Sequence, residues 1–203
     1  MLPTDRINGR SNNTSPTVLR INHRKRDGSV QKIYQFWQVE MKKAKSCDRT
    51  FLISVRPRWA SAFFLSHNPK SIERRKGSFG ASLQPGDNLV IYSTLPQGKV
   101  IGTVKVVKRE PLIIDRLWEQ SQQGKLTYVT QSEFDAYYSN TICGVGIWVS
   151  EPRQWKHPLG LFELREILGK RWQPPQQMQR LTYEQMSAIG IAHQHKRALL
   201  CHR

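Results

Sequence analysis

Seven consecutive residues, Lys70-Ser71-Ile72-Glu73-Arg74-Arg75-Lys76, set one carboxylate among four cations. A lysine three residues ahead of a glutamate can do acid–base or nucleophilic work if both groups reach one substrate and burial lowers the pKa of the amine. Glu73 and Arg75 have another use. In an extended chain, side chains two apart share a face, so Ser71, Glu73 and Arg75 fall together and Lys70, Ile72 and Arg74 fall opposite. Ile72 then points to the core. On the other face the carboxylate fixes the Arg75 guanidinium and leaves donors for a phosphate or a base edge. Lys70 joins them only from a turn ahead of the strand, where Pro69 sits. An internal salt bridge that holds the fold is the competing reading of the same residues, and it stays open.

Other groups suit nucleic-acid chemistry. Trp59, with Arg56 and Arg58 beside it, offers a stacking face and phosphate contacts, or else simply packs in the core. Upstream, 17–23 and 30–39 read as two strands joined through Asp27-Gly28, a turn that tolerates positive φ. This hairpin carries Arg24, Lys25, Arg26 and Lys32 near Tyr34 and Phe36, again a pattern for phosphate contact and stacking.

The tail holds His193, His195, Cys201 and His202 at spacings that match no zinc pattern, so we expect neither metal nor cofactor. Nucleotide-loop, serine-hydrolase and zinc-peptidase motifs are absent from the sequence.

Charge points the same way. The 203 residues carry a formal net charge of +17 and a pI near 10.3. Such an excess draws a protein to polyanions and makes binding salt-sensitive. Residues 1–49 contribute +7, 50–169 +5 and 170–203 +5, so the ends are basic arms on a near-ordinary middle. Three cysteines without CxxC spacing argue against a disulfide framework or zinc ribbon and fit a reducing compartment. No apolar run approaches the roughly 18 residues of a membrane span, and the N-terminus lacks a signal-peptide core. A cytoplasmic location is expected.

The positioning elements follow. Phe51-Leu52-Ile53-Ser54-Val55 and Leu89-Val90-Ile91-Tyr92 are apolar strands that bracket the charged run, and a helix opens at Pro57 with Trp59, Ala60, Phe63 and Phe64 at helical spacing. Beyond Gly102, Thr103 to Lys108 alternates as a strand. Residues 111–122 and 132–138 read as helices, the second capped by Ser132; 142–150 is a glycine-containing strand ended by Glu151-Pro152; 159–168 is a helix. A last helix starts near Thr182, with Gln185 completing a capping box. Strands with singly inserted helices and no βαβ alternation indicate an α+β fold on a curved mixed sheet or small barrel. The expected organisation is a basic arm with a β-hairpin (1–48), a core domain (49–170) and a basic C-terminal extension (171–203).

The core resembles an ASCH domain of the PUA-like superfamily. The resemblance rests on Ser54-Val55-Arg56-Pro57-Arg58-Trp59-Ala60, on Lys70-x-x-Glu73-x-Arg75 as in the GxKxxExR signature, on Leu83-Gln84-Pro85-Gly86-Asp87 running into Tyr92-Ser93, and on Gly102-Thr103-Val104. Leu117-Trp118-Glu119, Glu133 to Tyr138, Glu151-Pro152 and Pro174-Pro175-Gln176 follow in the family's order, so it spans roughly residues 50–190. The signature glycine is replaced by His67-Asn68-Pro69, where Asn can take the left-handed turn.

The resemblance implies a PUA-like mixed β-barrel with inserted helices and a cleft that binds RNA or a modified nucleobase. It makes Arg56, Arg58, Trp59, Lys70, Glu73, Arg75, Tyr92 and Ser93 the candidate contacts. Some relatives hydrolyse acetylated cytidine or cleave RNA; the former use a Lys-x-x-Thr arrangement, and Glu73 stands here in place of that Thr. Lys70 and Glu73 remain the only catalytic candidates. The expected function is therefore nucleic-acid binding, RNA before DNA, with the arms on phosphates. The alternatives are a hydrolase acting on RNA or acetylcytidine, and a module that docks a protein partner in transcription or translation complexes.

Overall fold

The computed structural model of the chain describes residues 49–201, with side chains through 193. The expected hairpin, with Arg24, Lys25 and Arg26, lies outside the described residues. Strand β1 (Thr50–Val55) leads through Arg56 into helix α1 (Pro57–Ala62), and β2 (Ile72–Lys76) carries the charged run. Then come β3 (Asn88–Ser93), β4 (Lys99–Ile113), α2 (Ile114–Gln120), a 3-10 turn (Lys125–Thr127), α3 (Gln131–Tyr138), β5 (Cys143–Gly160), α4 (Leu161–Leu168), β6 (Met178–Leu181) and α5 (Tyr183–Cys201).

The strands form one mixed sheet in the order β2-β5-β4-β3-β1-β6. β1 and β3 are parallel, Phe51 opposite Leu89 and Ile53 opposite Ile91, and every other pairing is antiparallel. The sheet has an edge at β2 and another at β6, so it curls without closing. The fold is α+β as expected.

Alternation along β1 and β3 divides the core in two. Phe51, Ile53, Val55, Leu89 and Ile91 meet Phe63 and Ile147 on one face, while Leu52, Val90 and Tyr92 meet Leu159, Leu164 and Ile189 on the other. A third, smaller cluster of Leu117, Phe134 and Tyr138 forms under α2 and α3. Serving both main faces requires the β4–β5 ribbon to bend, and its register shifts three times, one of them beside Glu151, whose φ is +49°.

Several boundaries differ from the sequence reading. The strand β4 runs through Pro111, because its pairing with β3 ends at Lys105 and a proline is tolerated where one edge is free. Only Ile114–Gln120 is helical there. β5 continues past Glu151-Pro152 to Gly160, since the bulge absorbs what would otherwise end the strand. Thr130 rather than Ser132 caps α3: its Oγ1 accepts from the Glu133 N–H (3.3 Å) and its own N–H donates to Glu133 Oε2 (2.9 Å).

Met178–Leu181 joins the sheet and Ile189 the core. β6 pairs with β1 through Ile53–Met178 and Thr50–Leu181, and Ile189 of α5 is fully buried. The Thr182–Gln185 capping box occurs as expected. His193 stacks on Trp155 with ring centroids 4.6 Å apart.

Candidate functional site

The charged run is placed by a turn and an edge. Asn68 takes the left-handed conformation (φ +50°), and the Lys70 N–H bonds to the Ala62 carbonyl at 2.8 Å, which sets Lys70 just ahead of β2. From there its ammonium reaches Glu73 Oε2 and lies 4.3 Å from the centre of the Phe63 ring. Glu73 Oε1 is 2.7 Å from Arg75 Nε, an ion pair without hydrogen-bond alignment. Glu73 thus sits between two cations.

Arg75 also joins two parts of the sheet. β6 covers β1 only as far as Ile53, so the Ser54 carbonyl beyond it is left without a strand partner on that side. Arg75 Nη2 donates to that carbonyl at 2.6 Å, across the gap between the β2 edge and the end of β1. Its guanidinium lies over Phe79 at 4.7 Å. The gap is the site.

A cavity of about 500 Å³ opens there, lined by Ser54 to Arg56 from β1 and its end, Trp59 from α1, Lys70 and Ile72 to Arg75, Thr94, Thr127, Val129, Glu133, Tyr137 and Pro174 to Gln176. Trp59 is half-buried and held by an Nε1–H bond to the Tyr128 carbonyl (3.1 Å). Arg56 is exposed, its guanidinium 5.8 Å from the Trp59 ring centre.

Burial and pairing compete in the electrostatics. Burial alone would raise the Glu73 carboxyl, but the Lys70 ammonium and Arg75 guanidinium outweigh it and hold the carboxyl below its ordinary range. Burial lowers the Lys70 ammonium, against the opposing pull of Glu73. Lys70 and Glu73 are 5% exposed each, which makes their mutual neutralisation a condition of folding.

Of the sequence candidates, Arg56, Trp59, Lys70, Glu73 and Arg75 come together on this cavity. Arg58 does not line it; its Nη1 clasps Glu133 Oε1 at 2.5 Å from outside. Tyr92 goes elsewhere. It packs in the opposite core, edge-on to Trp172 at 6.1 Å, because it is one residue out of step with Ile91 on β3. Ser93 is fully buried, and its neighbour Thr94 supplies the lining instead. Sequence reasoning missed Ser54, Arg74, Tyr137 and the role of Pro174-Pro175 as cavity wall. Alternation puts Arg74 on the Ile72 face, opposite Glu73 and Arg75, and nothing local marks Tyr137. Among the described residues no group of three or more His, Cys, Asp or Glu is placed to hold a metal ion, and no helix is long and apolar enough to cross a membrane.

No family model matches the sequence, and no curated protein matches it. Solved structures do. ASCH from Zymomonas mobilis superposes with a TM-score of 0.63 at 22% identity, over 70% of this chain and 94% of that one. A tyrosine-to-phenylalanine variant of it gives 0.63 at 22%, over 70% and 96%, and a serine-to-alanine variant 0.63 at 23%, over 71% and 96%. Identity this low speaks to the fold. The chain has the α+β fold of that ASCH structure.

Proposed function

We propose that the protein binds nucleic acid, RNA before DNA, through the cavity between the β2 edge and the end of β1. The observation that carries this reading is a cavity whose wall holds four cations and two carboxylates, both carboxylates already engaged by cations. What the wall offers a ligand is positive charge and donors, together with the rings of Trp59 and Tyr137, each with a cation beside it. The basic N-terminal residues, Arg24, Lys25 and Arg26 among them, add phosphate contacts. Polarisation assays on single-stranded RNA and DNA across a salt series test it: binding is expected to weaken linearly in log–log form as salt rises. No binding at low salt overturns the reading.

Lys70 supports a second reading. Burial lowers its pKa, and it lies against Glu73 in the cavity, as a reactive amine of a hydrolase acting on acetylcytidine or RNA would. Against that, Glu73 is held as an ion pair with both neighbours and is poorly placed to take a proton. Incubation with acetylcytidine and short RNAs, read by mass, decides; turnover that persists in Lys70→Met ends the hydrolase reading for this pair, as does no turnover.

A further inference from the structure

Arg74 is a cavity residue that neither alternation nor the Lys-x-x-Glu-x-Arg signature singles out. Its guanidinium lies over the Phe134 ring at 4.5 Å and near Tyr138 at 5.9 Å, and its Nη1 is buried without a hydrogen-bond partner. Ser54 Oγ, also of the cavity wall, is in the same state. A buried donor left without a partner is destabilising. Both atoms are closed to solvent, but Arg74 itself lines the cavity, so an acceptor brought there meets the rest of its guanidinium.

Charge narrows what the acceptor is. Glu73 is shared by Lys70 and Arg75, and Glu133 is matched by Arg58. Arg56 and Arg74 have no carboxylate partner among the described residues, so the cavity wall carries uncompensated positive charge. A neutral base edge leaves that charge unmet, and a bridging phosphodiester supplies one negative charge. A terminal phosphate monoester brings about 1.5–2 negative charges and three strong acceptor oxygens. Guanidinium groups are the side chains best matched to such a group. The remaining wall, with Trp59, Tyr137, Pro174 and Pro175, is apolar enough to receive the attached sugar and base.

We infer that the cavity takes the phosphorylated end of a nucleic-acid strand, with the terminal phosphate against Arg74 and Arg56. This rests on the nucleic-acid reading above and adds the class of ligand to it. Arg74 is then a specificity residue, and the Lys70–Glu73–Arg75 network is the frame that holds β2 in place around it.

Polarisation with the full chain at fixed salt, using one short single-stranded RNA in three forms, tests this: a 5′-phosphate, a 3′-phosphate, or hydroxyls at both ends, with an internal label. One phosphorylated form is expected to bind about tenfold tighter than the hydroxyl form, and which one it is gives the polarity of the bound strand. Arg74→Gln is expected to reduce that ratio to about one. Arg56→Gln, at an exposed position that folding does not depend on, reduces the ratio partly and serves as the reading if the first variant does not fold. Equal binding of all three forms by the unaltered protein overturns the phosphate-end inference and leaves nucleic-acid binding standing. Failure of all three to bind overturns both, and a ratio unchanged in Arg56→Gln and in any folded Arg74→Gln also overturns the inference.

Discussion

Two buried ionic clusters sit in this domain and differ in what they leave over. Asp87, 4% exposed, accepts from Arg49 Nε at 2.9 Å, from Arg49 Nη2 at 2.7 Å and from the Gln84 N–H at 2.7 Å. Arg49 Nη2 also reaches the Ser82 carbonyl. Neither residue lines the cavity, and none of their side-chain atoms is buried without a partner. The cluster around Glu73 is as deeply buried, yet Arg74 Nη1 and Ser54 Oγ beside it are unpartnered, and both residues line a cavity. Buried charge by itself marks structure as often as function. An excess of cations on a cavity wall is what separates the second cluster from the first.

The comparison breaks most visibly at its centre. Glu73→Ala leaves the buried Lys70 ammonium without a partner and is expected to cost about 3–5 kcal/mol of folding stability, read from urea unfolding. A loss below about 1 kcal/mol shows that the pair does not organise the cavity. The same group sets an acid limit. Because the Glu73 carboxyl is held below its ordinary 4.5, its contribution is complete above that pH and is lost as pH falls through the depressed folded value. Stability measured from pH 6 downwards is therefore expected to fall in the native protein, and this component of the fall to be missing in Glu73→Gln.

Asp87→Ala comes next, at about 2–3 kcal/mol, because Arg49 keeps partial access to water when its partner goes. Its RNA affinity is expected to match that of the unaltered protein while the variant is folded. Arg56→Gln should do the reverse, weakening binding of phosphorylated RNA with little stability loss, because Arg56 is an exposed residue of the cavity wall. If Asp87→Ala lowers affinity as much as Arg56→Gln does, the division between structural and binding clusters fails. Arg58→Ala is the smallest change. Its ion pair with Glu133 is exposed, so less than about 1 kcal/mol is expected in thermal or urea melts.

Much of the site was legible in the chain because it depends on short-range chemistry. Pro57 opening α1, the Asn68 turn, the Glu73–Arg75 pair on one face of a strand and the Thr182–Gln185 box each involve residues a few positions apart, and each occurs as expected. The misplaced helix at 111–122 and the strand stopped at 150 have the opposite origin. Whether Pro111 or Pro152 ends an element depends on which strand edge is free and where a bulge falls, and those depend on partners far along the chain.

The sequence by itself determined the α+β class, the alternation that buries Ile72 and the pairing of Glu73 with Arg75, since all three follow from local periodicity and side-chain type. Only the tertiary structure decided that Tyr92 would belong to the opposite core, that Arg74 would be left with an unpartnered nitrogen, and that Arg75 would reach the Ser54 carbonyl. Those outcomes come from the curl of the sheet, which carries the β2 edge round to the end of β1 across 21 residues of chain, a closure that no local pattern encodes.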